Sequence, residues 1–204
     1  MRILAIGAHP DDIEYGCGGT LLKAMEEARE KVNIYLGILT RPNEERINEQ
    51  LCSKKKLRTK DLLIAKFENT KLEKWRTIYT LDEWIESVRP TDIFVHWQED
   101  SHQDHECVAK ALFAAVRRSN ASVYMYESAT SIQFTPTIFV DISKQMKKKE
   151  ALMRCHKSQL TDDKIKSGFD LIRRIKAMAE YHGVMGNLKC AEGFSPYRII
   201  RRFR

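Results

Sequence analysis

Two short stretches hold most of the residues that could do chemistry. "GAHPDDIEYGCGG" (7–19) groups His9, Asp11 and Asp12, and "DSHQDH" (100–105) groups His102, Asp104 and His105. Adjacent acids repel, and burying one is costly. The first stretch is therefore either an exposed turn or a site that uses negative charge. Each stretch alone has a plain explanation. Pro10 followed by two aspartates makes a turn, and Ser101 with Asp104 fits a capping box at a helix start. That box leaves both histidines over. Three positions apart, His102 and His105 share a face on a helical turn.

Together the stretches supply His9, Asp12 and His105, two imidazoles and a carboxylate. A catalytic zinc takes three such ligands and keeps one position open. Asp11 is then spare beside the metal, where a general base belongs. A dication would also offset the charge of the two adjacent acids. The same donors form the facial triad of non-haem iron oxygenases, whose His-x-Asp spelling "HPD" matches. Those enzymes are typically all-β barrels, and this chain alternates strand and helix. "GCGG" (16–19) lacks the spacing of a dinucleotide or P-loop cradle. It reads as a close backbone approach or the start of a helix.

The elements that must position these groups follow from hydrophobic periodicity. Strands are expected at Ile3–Gly7, Val32–Thr40, 62–67, 91–97 and 122–128. Between them helices are expected at Gly18–Lys31, 42–57, 81–89 (capped by Thr80) and 104–118. This order predicts an α/β, Rossmann-like, mostly parallel sheet with helices on both faces. Ligands bind such sheets at the carboxyl ends of the strands, where strand order reverses. His9–Asp12 follows strand one and His102–His105 follows strand four, so the two groups should meet. Beyond residue 130 a strand (137–143), two helices (144–157, 163–181) and a last strand (195–202) form a C-terminal extension. It should pack on the 1–130 core, making one domain of 1–204.

Apolar residues make up 43% and charged residues 31%, which suits a packed core rather than a disordered chain. The net charge of +7 is concentrated in Lys54–Lys56, Lys147–Lys149 and the Arg201–Arg204 tail. Such runs read as solvated faces, and no interleaved aromatic motif suggests nucleic acid. Five scattered cysteines without Cys-x-x-Cys suggest neither a disulfide framework nor a zinc ribbon. A reducing, cytoplasmic setting follows. No apolar run is long enough to span a membrane, so no membrane partner is expected. His96 reads as a hydrogen-bonded core histidine, Trp75 and Trp84 as core or interface, and His156 as a residue that could line the pocket.

At these residues the chain resembles the PIG-L/LmbE-like family of zinc-dependent N-deacetylases acting on N-acetylglucosamine compounds. The resemblance runs from "GAHPDDIEYGCGGTL" and "DSHQDH" through "YES" (126–128) and "FTPTIFVDIS" (134–143). It continues through "KEALMRCHKSQ" (149–159) to "AEGF" (191–194). It implies one Zn2+ on His9, Asp12 and His105, with Asp11 as the base. It implies His102 as the partner of the amide oxygen and leaving amine, and Asp104 as the group that orients His102. A soluble, small amino-sugar substrate and a possible homo-oligomer are implied too. The compact "TRPNEERINEQ" (40–50) lacks the family's glycine-containing loop, so the substrate pocket is where this chain departs. Two other readings stand beside the deacetylase: a same-fold metallohydrolase acting on a non-sugar amide, and a non-catalytic ligand-binding module.

Overall fold

The computed structural model describes residues 1–28, 31–161 and 170–201. The elements alternate as β1 (Arg2–Gly7), α1 (Asp12–Ala28), β2 (Asn33–Thr40), α2 (Glu44–Leu57), β3 (Asp61–Phe67) and α3 (Lys74–Val88). β4 (Asp92–His96), α4 (Gln103–Ala115) and β5 (Ser122–Tyr126) follow. The chain then runs through β6 (Ile138–Asp141), α5 (Met146–Met153), α6 (Leu171–Met185) and β7 (Ala191–Arg198).

All seven strands join one sheet in the order β3-β2-β1-β4-β5-β7-β6. β1 to β5 pair in parallel, while β7 pairs antiparallel to both β5 and β6. The extension therefore adds two strands to the same sheet. Burial explains why the helices lie on both faces. Along β1, Leu4 and Ile6 pack with Leu81 of α3 and Val108 and Leu112 of α4. The alternate residues Ile3 and Ala5 pack with Ile13, Cys17 and Leu21 of α1, Leu57 of α2 and Leu152 of α5. Period-two alternation sends successive side chains to opposite cores. Strand order reverses between β1 and β4, where Leu4 pairs with Ile93. The carboxyl ends of these two strands mark the expected binding edge.

Several expected boundaries move. α1 starts at Asp12 rather than Gly18, so "GCGG" lies inside the helix. Its glycines serve packing: a Cβ on Gly16 would stand 2.1 Å from the Tyr126 ring, and one on Gly19 2.9 Å from Ile142. α3 starts at Lys74, which puts Thr80 mid-helix with its hydroxyl bonded back to Arg76 O. A mid-helix threonine commonly makes that bond, and it mimics a cap in the sequence. The first extension helix is shorter than 144–157, covering Met146–Met153. The second runs Leu171–Met185, and the expected stretch 163–169 lies outside the described residues. The last strand begins earlier, at Ala191, and its expected end at 202 also lies outside them.

The cysteine expectation is corrected as well. Cys52 of α2 and Cys155, two residues beyond α5, form a disulfide with Cα atoms 5.8 Å apart, leaving Cys17, Cys107 and Cys190 free. A separation of 103 residues hid the pairing, because only the packing of α2 against α5 brings the two together. Among the described residues no helix is long and apolar enough to cross a membrane.

Candidate active site

The turn from β1 into α1 separates the two adjacent acids. Asp12 Oδ2 accepts from the His9 backbone N–H at 2.7 Å, which closes the turn. Asp11 sits at φ 93°, a left-handed conformation costly for a non-glycine residue. Its carboxylate is turned to Arg46 of α2. Arg46 Nη2 donates to Asp11 Oδ1 at 3.0 Å and to Pro10 O at 2.5 Å. Asp12 faces histidines instead: His9 Nδ1 lies 3.5 Å from its Oδ2, and His105 Nε2 lies 3.5 Å from its Oδ1.

The outer nitrogens of both histidines are occupied. His105 Nδ1 lies 3.2 Å from Asp100 Oδ2. His9 Nε2 lies 2.8 Å from Asn69 Oδ1 and 3.1 Å from Asp104 Oδ2. This is how a metal-ligating histidine is usually held, with its second nitrogen on a carboxylate or carbonyl oxygen. The ligand atoms of His9, Asp12 and His105 all lie within 4.8 Å of one another. Zinc–ligand bonds of ~2.0–2.1 Å give a tetrahedral edge of ~3.4 Å, and the two 3.5 Å spacings fit it. His9, His102 and Asp104 also lie close enough to hold an ion. There, however, the Asp104 oxygen already accepts from the Thr70 N–H at 2.8 Å.

His102 and Asp104 are arranged differently from the expected pair. His102, not Ser101, is the N-cap of α4, and its Nδ1 accepts from the Asp104 N–H at 3.2 Å. A ring that accepts at Nδ1 carries its proton on Nε2 when neutral. The Asp104 carboxylate steadies His9, and its backbone holds His102. His96 is the fully buried, hydrogen-bonded histidine expected, accepting from Ala8 N at 3.0 Å. It also backs the site, with Nε2 3.1 Å from Asp12 Oδ2. His156 is fully buried against Glu14 instead of lining the pocket. Three residues on, Gln159 takes that place. The resulting cavity of about 450 Å³ is lined by His9, Asp11, Asp12, Arg46, Asn69, His102, His105 and Gln159.

A family model described as GlcNAc-PI de-N-acetylase (PIG-L) matches residues 4–116, more than half of the chain and a range that includes His9, Asp12 and His105. The chain belongs to the PIG-L family. The Escherichia coli (strain K12) protein YaiS, described as an uncharacterized deacetylase, is 30% identical over 171 residues, 76% of this chain and 90% of YaiS. The conserved protein TT1542 from Thermus thermophilus shares the fold with a TM-score of 0.82. It is 25% identical, with 99% of this chain and 98% of that one covered. The N,N'-diacetylchitobiose deacetylase from Pyrococcus horikoshii gives a TM-score of 0.80 at 21% identity, covering 96% and 83%. This PIG-L chain is accordingly an N-deacetylase. Its family is metal-dependent, and the His/Asp cluster can hold a metal ion.

Electrostatics in this PIG-L site follow from burial and close charges. Burial, then the neighbouring Asp12, pushes the Asp11 carboxyl up to about 6, against the pull of Arg46. Asp12 is buried too, yet His105 and His96 hold it well below the usual carboxylate range. Burial works against charge on His9 and His105, but the surrounding carboxylates win. In the metal-free site His9 rises to about 9 and His105 to about 10. Burial and the flanking His105 and His9 lower His102, keeping its ring neutral near pH 7. Burial likewise takes His96 down to about 4.

Sequence reasoning missed Arg46, Asn69, Thr70 and Asp100. Asp100 opens the "DSHQDH" motif itself, and its 8% exposure was a signal available only in three dimensions. Arg46 lies in "TRPNEERINEQ" (40–50), and its reach to Pro10 O and Asp11 depends on how α2 packs, which no local pattern shows.

Proposed function

We propose that the chain removes the N-acetyl group from a small GlcNAc-type amino sugar, with zinc held by His9, Asp12 and His105. The carrying observation is the division of two adjacent acids: Asp12 among the histidines, and Asp11 outside that set on Arg46 but lining the same cavity. Zinc, when bound, supplies Lewis acidity to water and to the amide carbonyl.

The remaining roles belong to side chains of this chain. Asp11 takes the proton of the attacking water. Burial and Asp12 raise its carboxyl to about 6 in the absence of a metal, and a bound dication would pull it down, so at neutral pH it is ionised either way and free to accept. Arg46 holds the Asp11 carboxylate in place. The neutral His102 ring presents its Nε2–H to the amide oxygen, where charge develops as the carbonyl carbon turns tetrahedral. The proton gained by Asp11 is then available to the departing nitrogen. The C–N bond breaks, and acetate and a free amine result. Asp104, Asn69 and Asp100 fix the rings of His9 and His105.

A panel of acetylated compounds with acetate release as readout tests this reading. It includes GlcNAc, N,N'-diacetylchitobiose, nucleotide-linked GlcNAc and simple non-sugar acetamides, each with the zinc-loaded protein. Metal-dependent acetate release from at least one sugar is expected. Release from the non-sugar acetamides alone would refute the substrate class, and no zinc bound would refute the mechanism.

A further inference from the structure

The Cys52–Cys155 bond crosses the seam that builds one wall of the cavity. On one side is α2, which aims Arg46 at Asp11. On the other is the 155–159 segment, which brings Gln159 to the cavity. Two further bonds follow the same seam. Glu49, three residues before Cys52, accepts from Ser158 N at 2.7 Å and from Ser158 Oγ at 2.8 Å. Cys52 is exposed, and a surface groove of about 620 Å³ flanks the pair, with Lys56, Arg154 and Lys157 among its lining residues. Cys155 is buried, 6% exposed. A reagent in solution therefore reaches the bond from the Cys52 side.

We propose that Cys52–Cys155 is a thiol–disulfide exchange site whose state sets how firmly the Gln159 wall is held, and hence substrate affinity. The reagent is a dithiol. One of its thiolates attacks the Cys52 sulfur, the bond to Cys155 breaks, and Cys155 leaves as a thiolate that takes up a proton. The second thiol displaces Cys52 from the mixed disulfide. The dithiol ends as its own disulfide, and two electrons and two protons end on Cys52 and Cys155. The oxidised dithiol runs the same steps backwards. After reduction the seam keeps the Glu49–Ser158 hydrogen bonds and the buried Glu14, which accepts from Gln50 and Ser53 of α2 and lies 3.5 Å from His156, but loses its covalent tie. The metal ligands, just after β1 and on α1 and α4, stay in place. The affinity effect, though not the exchange itself, rests on the proposed deacetylase reading.

The test compares the oxidised chain, the dithiol-reduced chain and the Cys52→Ser/Cys155→Ser double variant. Denatured without reductant, the oxidised chain should titrate three thiols, and the reduced chain five. Hydrogen exchange in the native state should speed up at 155–161 and around Cys52 on reduction, and stay unchanged in β1 and β4. If reduction leaves the wall correctly placed a tenth to a third of the time, KM for N,N'-diacetylchitobiose rises roughly three- to tenfold, because apparent affinity scales with the competent fraction. kcat should stay within about twofold, since the groups acting in the transition state do not move. The double variant should match the reduced chain and ignore reductant. Five free thiols after treatment with oxidised dithiol would overturn the proposal, as would identical exchange in both states. Thiol counts and exchange need no substrate. An absence of acetate release from every compound would therefore sink the deacetylase reading and leave these two results to decide the exchange site.

Discussion

Replacing Arg46 with methionine should move the acidic limb of the pH profile upward. The guanidinium lies 3.0 Å from Asp11 Oδ1 and favours the ionised carboxyl. At an effective dielectric of about 20, opposite charges ~4 Å apart attract by ~4 kcal/mol, equivalent to ~3 pKa units. The two side chains are 21% and 18% exposed, so water screens part of that attraction. Zinc, when bound as proposed, would also hold the Asp11 carboxyl down whether or not Arg46 is present. A rise of about one unit is the expected remainder. The base must be ionised to act, so a raised pKa removes activity at low pH and spares it at high pH. In the zinc-loaded protein, kcat/KM for N,N'-diacetylchitobiose from pH 5 to 9 reports the free-enzyme limb. The variant should lose up to about tenfold at the foot of the limb. Its further loss on the plateau should be independent of pH, and Arg46→Lys should restore most of the limb. A limb that stays put or moves to lower pH would show that Arg46 does not tune Asp11.

Other substitutions separate the remaining roles. Asp12→Ala should lower zinc content and activity together, whereas Asp11→Asn should keep zinc and lose ~10²–10⁴-fold in turnover; metal analysis beside rate measurement would expose a reversed assignment. Asp100→Ala takes the carboxylate from His105 Nδ1, leaving it the Thr130 hydroxyl at 3.3 Å, and should cost ~10–100-fold in metal affinity, read by competition with a chromogenic chelator; unchanged affinity would remove Asp100 from the support of the site. With His9 raised to about 9 and His105 to about 10 in the metal-free site, zinc binding at pH 7.5 should release about two protons. Calorimetry in buffers of different ionisation enthalpy counts them, and no release would mean the two rings were already neutral. Gly16→Ala would drive a Cβ to 2.1 Å from the buried Tyr126 ring. It should destabilise by ~3 kcal/mol, lowering Tm by about 2–4 °C per kcal/mol, and an unshifted Tm would show that the ring can yield.

What could be read without coordinates was periodic or local. β1, β2 and β4 lie near their expected ranges because each is an apolar run buried on both faces. Parallel connectivity then places the ends of β1 and β4 side by side, so His9, Asp12 and His105 come together as the spacing implied. Helix starts were harder to read. α1 begins within the acidic motif itself, and its glycines answer to Tyr126 and Ile142, which are distant in sequence. The capping box failed for a related reason: the Asp104 carboxylate that should complete it is drawn to His9 and Thr70 N instead.

The proposed division of labour between Asp11 and Asp12 shows where local reading stops. Two neighbouring aspartates have the same chemistry, and nothing within "HPDD" says which one binds a metal. The backbone separates them, since Asp11 in a left-handed conformation turns away from the direction Asp12 takes. That strain persists only where the surroundings over-determine it. Here Arg46 does so, bonding both Pro10 O and Asp11 Oδ1 from a different helix. α2 thus supplies the charge that fixes the proposed base and, through Glu49 and Cys52, the seam that holds Gln159. A substitution in this helix can therefore act on the cavity wall while the proposed metal ligands, just after β1 and on α1 and α4, stay where they are.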